Sequence, residues 1–160
     1  MPMQCEIVTQ ERTVYSNEVD AVNLPGKGGR MGVLPNHMVM LAALDFGEVI
    51  VRSDGEEEFF AVGGGFAEIL PDRITILADS AEHAEEIDVQ RAQRAREQAE
   101  QAMSEGVPED AERYAQIEAS LKRAQLRIQV SRRRSTGRRQ RAMPTGREQQ
   151  EREEPGEEIE

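Results

Sequence analysis

The chain changes character near residue 87, and that change restricts the folds open to it more than any motif does. From about residue 3 to 79, short β-rich runs such as CEIVTQ, RTVYS, EVIVRS, EEFFAV and ITILAD alternate with clusters of Gly, Pro, Asn and Asp. Runs of that length, broken roughly every 8–12 residues, are those of an antiparallel sandwich or barrel. Asp54-Gly55 between two of them predicts a tight hairpin, because Gly supplies the positive φ that a primed turn requires. In ITILAD the alternation puts Ile74, Ile76 and Ala78 on one face. Leu70-Pro71-Asp72-Arg73 reads as a further turn.

Beyond residue 87, β-branched residues give way to Ala, Glu, Gln and Arg, all strong helix formers. Val89, Ala92, Ala95 or Arg96, Ala99 and Ala102 or Met103 recur at spacings of three and four and make a narrow stripe of small residues. SEGVPED at 104–110 stops this helix: Gly106 suits the left-handed position after a helix end, and Pro108 the first turn of the next. Tyr114, Ile117, Leu121, Ala124 and Ile128 form a second stripe. The reading is a mainly β domain at 1–80, an antiparallel two-helix hairpin at 81–130, and a tail at 131–160. The tail divides into a basic block and an acidic end with almost no apolar content, so it is expected to be disordered.

The 20 basic and 31 acidic residues leave a net charge of −11, which disfavours binding to nucleic acid or anionic lipid through the body of the protein. Cys5 is the single cysteine, which excludes an internal disulfide. With no secretory leader pattern at the N-terminus, the expectation is a chain of the cytosol. MVMLAAL at 38–44, the longest apolar run, is far shorter than the roughly 20 residues of a membrane-spanning helix.

Few residues point to chemistry. Gly63-Gly64-Gly65 lacks the GK[ST] of a phosphate loop and leads into a strand, so it reads as a bulge or a close backbone approach. His37 and His83 show no metal-ligand spacing, and no nucleophile–base pattern is present; catalytic and metal residues are therefore expected to be none. Arg132, Arg133, Arg134, Arg138, Arg139 and Arg141 could grip phosphate backbones, which makes an acidic adaptor binding nucleic acid through its tail the alternative function.

EEIDVQRAQRA at 85–95 is more informative. Asp88 fits a helix N-cap. A hairpin closing near Val107 also sets Asp88 and Arg91 level with Arg123 and Arg127, which share a face at i, i+4. Three guanidinium groups beside a helix N-terminus would cradle a polyphosphate. The rival is ion pairing of those arginines with Glu82, Glu85, Glu86 or Asp88.

The order of motifs, GxxGVLPxH from Gly29 to His37, VGGGFAEIL at 62–70, a strand ending LAD at 79 and IDxxRA from Ile87 to Ala92, resembles the epsilon subunits of bacterial F-type ATP synthases over about residues 3–130. The resemblance implies a non-catalytic rotor subunit at the foot of the central stalk, coupling proton flow to rotation. Its sandwich would meet the gamma subunit and the ring of c subunits through Gly29, Arg30, Met31, Gly32, Val33 and His37. Its helices would extend into the catalytic alpha/beta head and inhibit ATP hydrolysis. No cofactor would be required. A regulatory ATP is implied at Glu82, Ile87, Asp88, Arg91, Ala92, Arg123 and Arg127. The implied location is peripheral, on the cytoplasmic face of the plasma membrane, with the membrane reached only through the complex. Arg30 stands where relatives often carry an acidic residue, and the chain runs on past the usual family ending near Val130.

Overall fold

A computed structural model describes residues 1–106 and 109–141, with side chains as far as Arg133. Eight strands come first: β1 (Met3–Val8), β2 (Thr13–Val19), β3 (Ala21–Gly26), β4 (Gly29–Val33), β5 (Met40–Ser53), β6 (Glu56–Ile69), β7 (Arg73–Ala78) and β8 (Ala81–His83). They form one hydrogen-bonded path, β2-β1-β7-β6-β5-β3-β4, with β8 added to β6. All pairs are antiparallel except β1 with β7, which run parallel. That pair departs from the purely antiparallel expectation.

The path folds over a single core. Cys5 and Ile7, Val22 and Leu24, Val49 and Val51, Phe60 and Val62, and Ile74 and Ile76 meet there, at every second position of their strands. The hairpin at Asp54-Gly55 forms as expected, with φ of 51° and 79°. β5 and β6 are the two long strands, and they change faces at the same level. Leu44 points inward and so do Val49 and Val51, while opposite them Val62 and then Ala67 and Ile69 do so. An odd step on each strand requires an irregularity, which lies at Asp45 and at Gly63–Gly65. Gly65 has φ of 112°, and a Cβ there would collide with the carbonyl oxygen of Leu77. The glycine run is therefore the close backbone approach that its sequence context indicated.

The consequence of this bend is a second, outward face on β5 and β6 carrying Glu48, Phe59 and Ala61, and the helices lie over it. A 3-10 turn, Ala84–Glu86, leads from β8 into α1 (Val89–Ser104); α2 (Ala111–Arg141) returns. Gly106, with φ of 115°, follows the end of α1 as anticipated. Ala92 and Ala99 of one stripe and Ala124 and Ile128 of the other are buried. Small side chains let the two helices approach closely.

The expected end of the second helix at 130 is corrected: α2 continues to Arg141 through the first part of the segment read as disordered. Low apolar content argued against burial, but Arg and Gln are good helix formers, and adding residues to an existing helix costs far less than starting one. The seam also continues, for Val130 is wholly buried and Ser131 is 6% exposed. Pro108, the acidic end and the side chains of Arg134, Arg138, Arg139 and Arg141 lie outside the described residues.

Candidate functional site

The junction between sandwich and helices gathers most of the residues singled out above. Ile87, 3% exposed, is the apolar anchor: with Ala61, Ala84 and Val130 it forms a second small core, flanked by Phe59 and Leu126. The next residue, Asp88, leaves the helical conformation (φ −76°, ψ 98°), and its Oδ1 accepts the backbone N–H of Arg91 at 3.0 Å. Asp88 is thus the N-cap of α1. Ala92 is fully buried one turn later. The side chain of Arg91 faces solvent.

Glu82 on β8 and Arg127 on α2 are bound to each other. The guanidinium donates from Nε to Oε2 at 2.6 Å and from Nη2 to Oε1 at 2.9 Å, a forked, charge-assisted pair. Beside them a cleft of about 250 Å³ opens between the sandwich and the helices. Ala61, Gly63 and Ser80 line it from the sandwich, Ala95 from α1, and Ser120, Arg123 and Ala124 from α2. Ala95 facing Ser120 and Ala124 is the pairing of an antiparallel hairpin that closes near 107.

The cleft therefore unites Glu82, Arg123 and Arg127 of the expected polyphosphate set, while Ile87, Asp88, Arg91 and Ala92 do not line it. Of the two alternatives left open by the sequence, Arg127 follows ion pairing, with Glu82 as its partner. Arg123 is exposed at the cleft wall. The volume falls below the roughly 300–1,000 Å³ usual for small-ligand pockets, so any nucleotide held here would lie partly over the rim.

A second tie spans the same junction. Arg12, at the β1–β2 turn, donates to Glu86 in the 3-10 turn at 2.7 and 3.4 Å. The hydrogen bond to Arg12 holds the Glu86 carboxyl below its ordinary pKa, against a smaller opposing effect of desolvation. The imidazole of His83 accepts the backbone N–H of Glu85 at 3.1 Å through Nδ1, and its Nε2 lies 3.0 Å from a Glu58 carboxylate oxygen. Both ring nitrogens are thus engaged in holding the turn. Among the described residues no cluster of His, Cys, Asp or Glu is placed to hold a metal ion.

The other expected contact region lies on and after β4. Gly29 (φ 127°) turns the chain from β3 into β4; Arg30 is exposed and its Nη2 reaches the backbone carbonyl of Glu48 at 3.5 Å; Met31 packs on the core and Val33 lies in it. Gly32 faces Asn23 across the ladder. His37 closes the following turn, its backbone N–H donating to the Leu34 carbonyl at 3.2 Å. The turn itself is fixed by Asn36, whose N–H donates to the Pro71 carbonyl at 2.7 Å.

Around these residues stand four large apolar side chains that the sequence reading passed over: Leu34, Met38, Val39 and Leu41, each more than half exposed. Met38, Val39 and Leu41 fall in MVMLAAL, which was weighed above as a membrane span, and Leu34 in the GxxGVLPxH motif. Phe66 and Leu77, cross-strand neighbours on β6 and β7, are exposed as well. Exposed apolar side chains grouped in this way mark a candidate surface for contact with another protein.

Comparison with known proteins decides the family. Residues 2–84 match the beta-sandwich domain of the ATP synthase delta/epsilon chain, and residues 85–132 match the long alpha-helix domain of the same chain. The chain belongs to the ATP synthase delta/epsilon family. It is 50% identical to the ATP synthase epsilon chain of Herpetosiphon aurantiacus over 131 residues, covering 82% of this chain and 95% of that one. It is 46% identical to the epsilon chain of Dehalococcoides mccartyi over 138 residues, covering 82% and 94%. A chain of the Euglena gracilis mitochondrial ATP synthase superposes with a TM-score of 0.67 at 25% identity, covering 78% of each. A chain of the Tetrahymena thermophila enzyme's central stalk and c-ring shares the fold, with a TM-score of 0.58 at 9% identity. The epsilon chain is a non-catalytic stalk subunit of the synthase complex. No helix among the described residues is long and apolar enough to cross a membrane.

Proposed function

We propose that this chain is the rotor subunit that joins the central stalk to the membrane ring and helps couple proton translocation to ATP synthesis. The observation that carries this reading is the exposed apolar group Leu34, Met38, Val39 and Leu41, set on a turn anchored to the sandwich and adjoining the Gly29–His37 motif. An apolar surface on a rigid platform suits a partner that must transmit torque without slipping. The gamma subunit and the c-ring are the partners, met through Gly29, Arg30, Met31, Gly32, Val33 and His37 together with the apolar side chains. The site of action is peripheral, on the cytoplasmic face of the plasma membrane, and the membrane is reached only through the complex. The test is co-purification with the cognate gamma subunit and c-ring. Leu41→Glu with Met38→Glu should abolish association with a folded chain, and undiminished association would refute the assignment.

The hairpin is the regulatory part of this reading. Folded on the sandwich it leaves the catalytic head untouched; extended, it would reach the alpha/beta head and restrain ATP hydrolysis. Its interface with the sandwich rests on one small apolar cluster and a few ion pairs, and an element held so lightly can exist in two states a few kcal/mol apart. ATP at the cleft, with Arg123 and Arg127 toward the phosphates, would favour the folded state.

A further inference from the structure

We propose that Glu48 and Arg133 form a latch, far along the long C-terminal helix, that holds the helical hairpin against the sandwich. Glu48 lies on β5 within the face exposed by the strand bend, and it is the one charged residue among the described residues that is buried, at 4% exposure. A buried carboxylate is retained only where a partner compensates its lost hydration. The partner here is Arg133, 85 positions later: its Nε and Nη2 lie 3.3 and 3.4 Å from the two carboxylate oxygens. The same guanidinium stands 5.4 Å from the centre of the Phe59 ring, on the neighbouring strand. Val130, between Arg127 and Arg133, is buried against Ala61 of the same face, so this stretch of α2 is held along its length.

If α2 lifts away, Arg133 returns to water with little loss, being about half exposed already. Glu48 is covered by α2 itself, so lifting the helix hydrates the carboxylate as it breaks the pair, and the latch contributes the forked, charge-assisted contact less the hydration regained. In the closed form the carboxylate is held by Arg133, and the nearby Arg30 contacts only the backbone carbonyl of Glu48, at 3.5 Å. Release of the hairpin is thus opposed at its far end by an interaction separate from the Glu82–Arg127 pair and from the cleft. Arg133 lies one residue past the stretch that matches the family's helical domain.

The proposal deepens the regulatory reading of the hairpin but is tested without it, on the isolated full-length chain. Amide hydrogen exchange of residues 126–133 reports opening of this end of α2. Glu48→Gln and Arg133→Ala should each speed it about tenfold or more, with sandwich amides unchanged, and the double variant should open no faster than the faster single one. Arg133→Lys, which keeps the charge but loses the fork, should fall between wild type and Arg133→Ala. Unchanged exchange in both single variants, or additive effects in the double, would overturn the latch. Failure of the hairpin to affect ATP hydrolysis in the assembled complex would leave this result untouched.

Discussion

Arg127 and Glu82, 45 positions apart in sequence, close a forked ion pair with contacts of 2.6 and 2.9 Å across the edge of the cleft between sandwich and helices. The pair ties the last strand to the second helix, and it occupies the guanidinium that an incoming phosphate would need. If ATP binds here, it must share Arg127 with Glu82 or displace it, whereas Arg123 is available at the cleft wall.

Calorimetric titration of the isolated chain with ATP should therefore give saturable binding that weakens about tenfold or more in Arg123→Ala and in Arg127→Ala. Arg91→Ala should have the smaller effect, since that side chain does not line the cleft. Equal loss in all three variants would place the phosphates nearer to the start of α1. No heat of binding at millimolar ATP would remove the nucleotide from the account.

Asp88 has a structural duty that does not depend on any ligand. Replacing it with Ala removes the acceptor for the Arg91 N–H and should cost about 1 kcal/mol, while Ser should restore most of the loss. Urea unfolding measures the cost, and faster exchange of the Arg91 amide would localise it. Unaltered stability in the Ala variant would mean that the cap is redundant.

The sequence made the division of the chain plain because each half obeys a single period. Strand alternation placed Ile74, Ile76 and Ala78, and helical spacing placed Ala92, Ala99, Ala124 and Ile128, all of which are buried. The parallel pairing of β1 with β7 was not legible, because alternation fixes the face of a strand and not its neighbour. Glu48 was missed for a related reason. A charged residue in EVIV reads as solvent-facing, and only the strand bend combined with the continuation of α2 to Arg133 buries it. Of the expected polyphosphate set, spacing correctly brought Arg123 and Arg127 to one cleft. It could not indicate that Arg91 would turn outward, since that depends on how the helix pair is rotated on the sandwich.

Gly65 should be the least replaceable of the three consecutive glycines. A side chain there meets both a left-handed backbone and the Leu77 carbonyl, so Gly65→Ala should destabilise the sandwich by about 2–4 kcal/mol. Thermal unfolding measures this, and a loss below about 1 kcal/mol would show that the strands can separate at little cost.

The Arg12–Glu86 tie should make the junction acid-sensitive. The folded pKa of Glu86 is lowered from 4.5, so the tie contributes fully above that value and is lost as pH falls through the lower folded one. An NMR titration of the Glu86 carboxyl should inflect below 4.5 and move back toward it in Arg12→Ala. An inflection at or above 4.5 in the unmodified chain would mean that the contact does not persist in solution.

The central claim, a stalk subunit whose helices restrain hydrolysis, is tested most directly by ATP hydrolysis in the assembled synthase. The complex is built with the full chain or with a chain ending after Glu86, which keeps all eight strands, and incorporation is verified for both. Hydrolysis should be faster with the shortened chain, with an unchanged capacity for proton-driven ATP synthesis. Equal hydrolysis rates in the two complexes would contradict it.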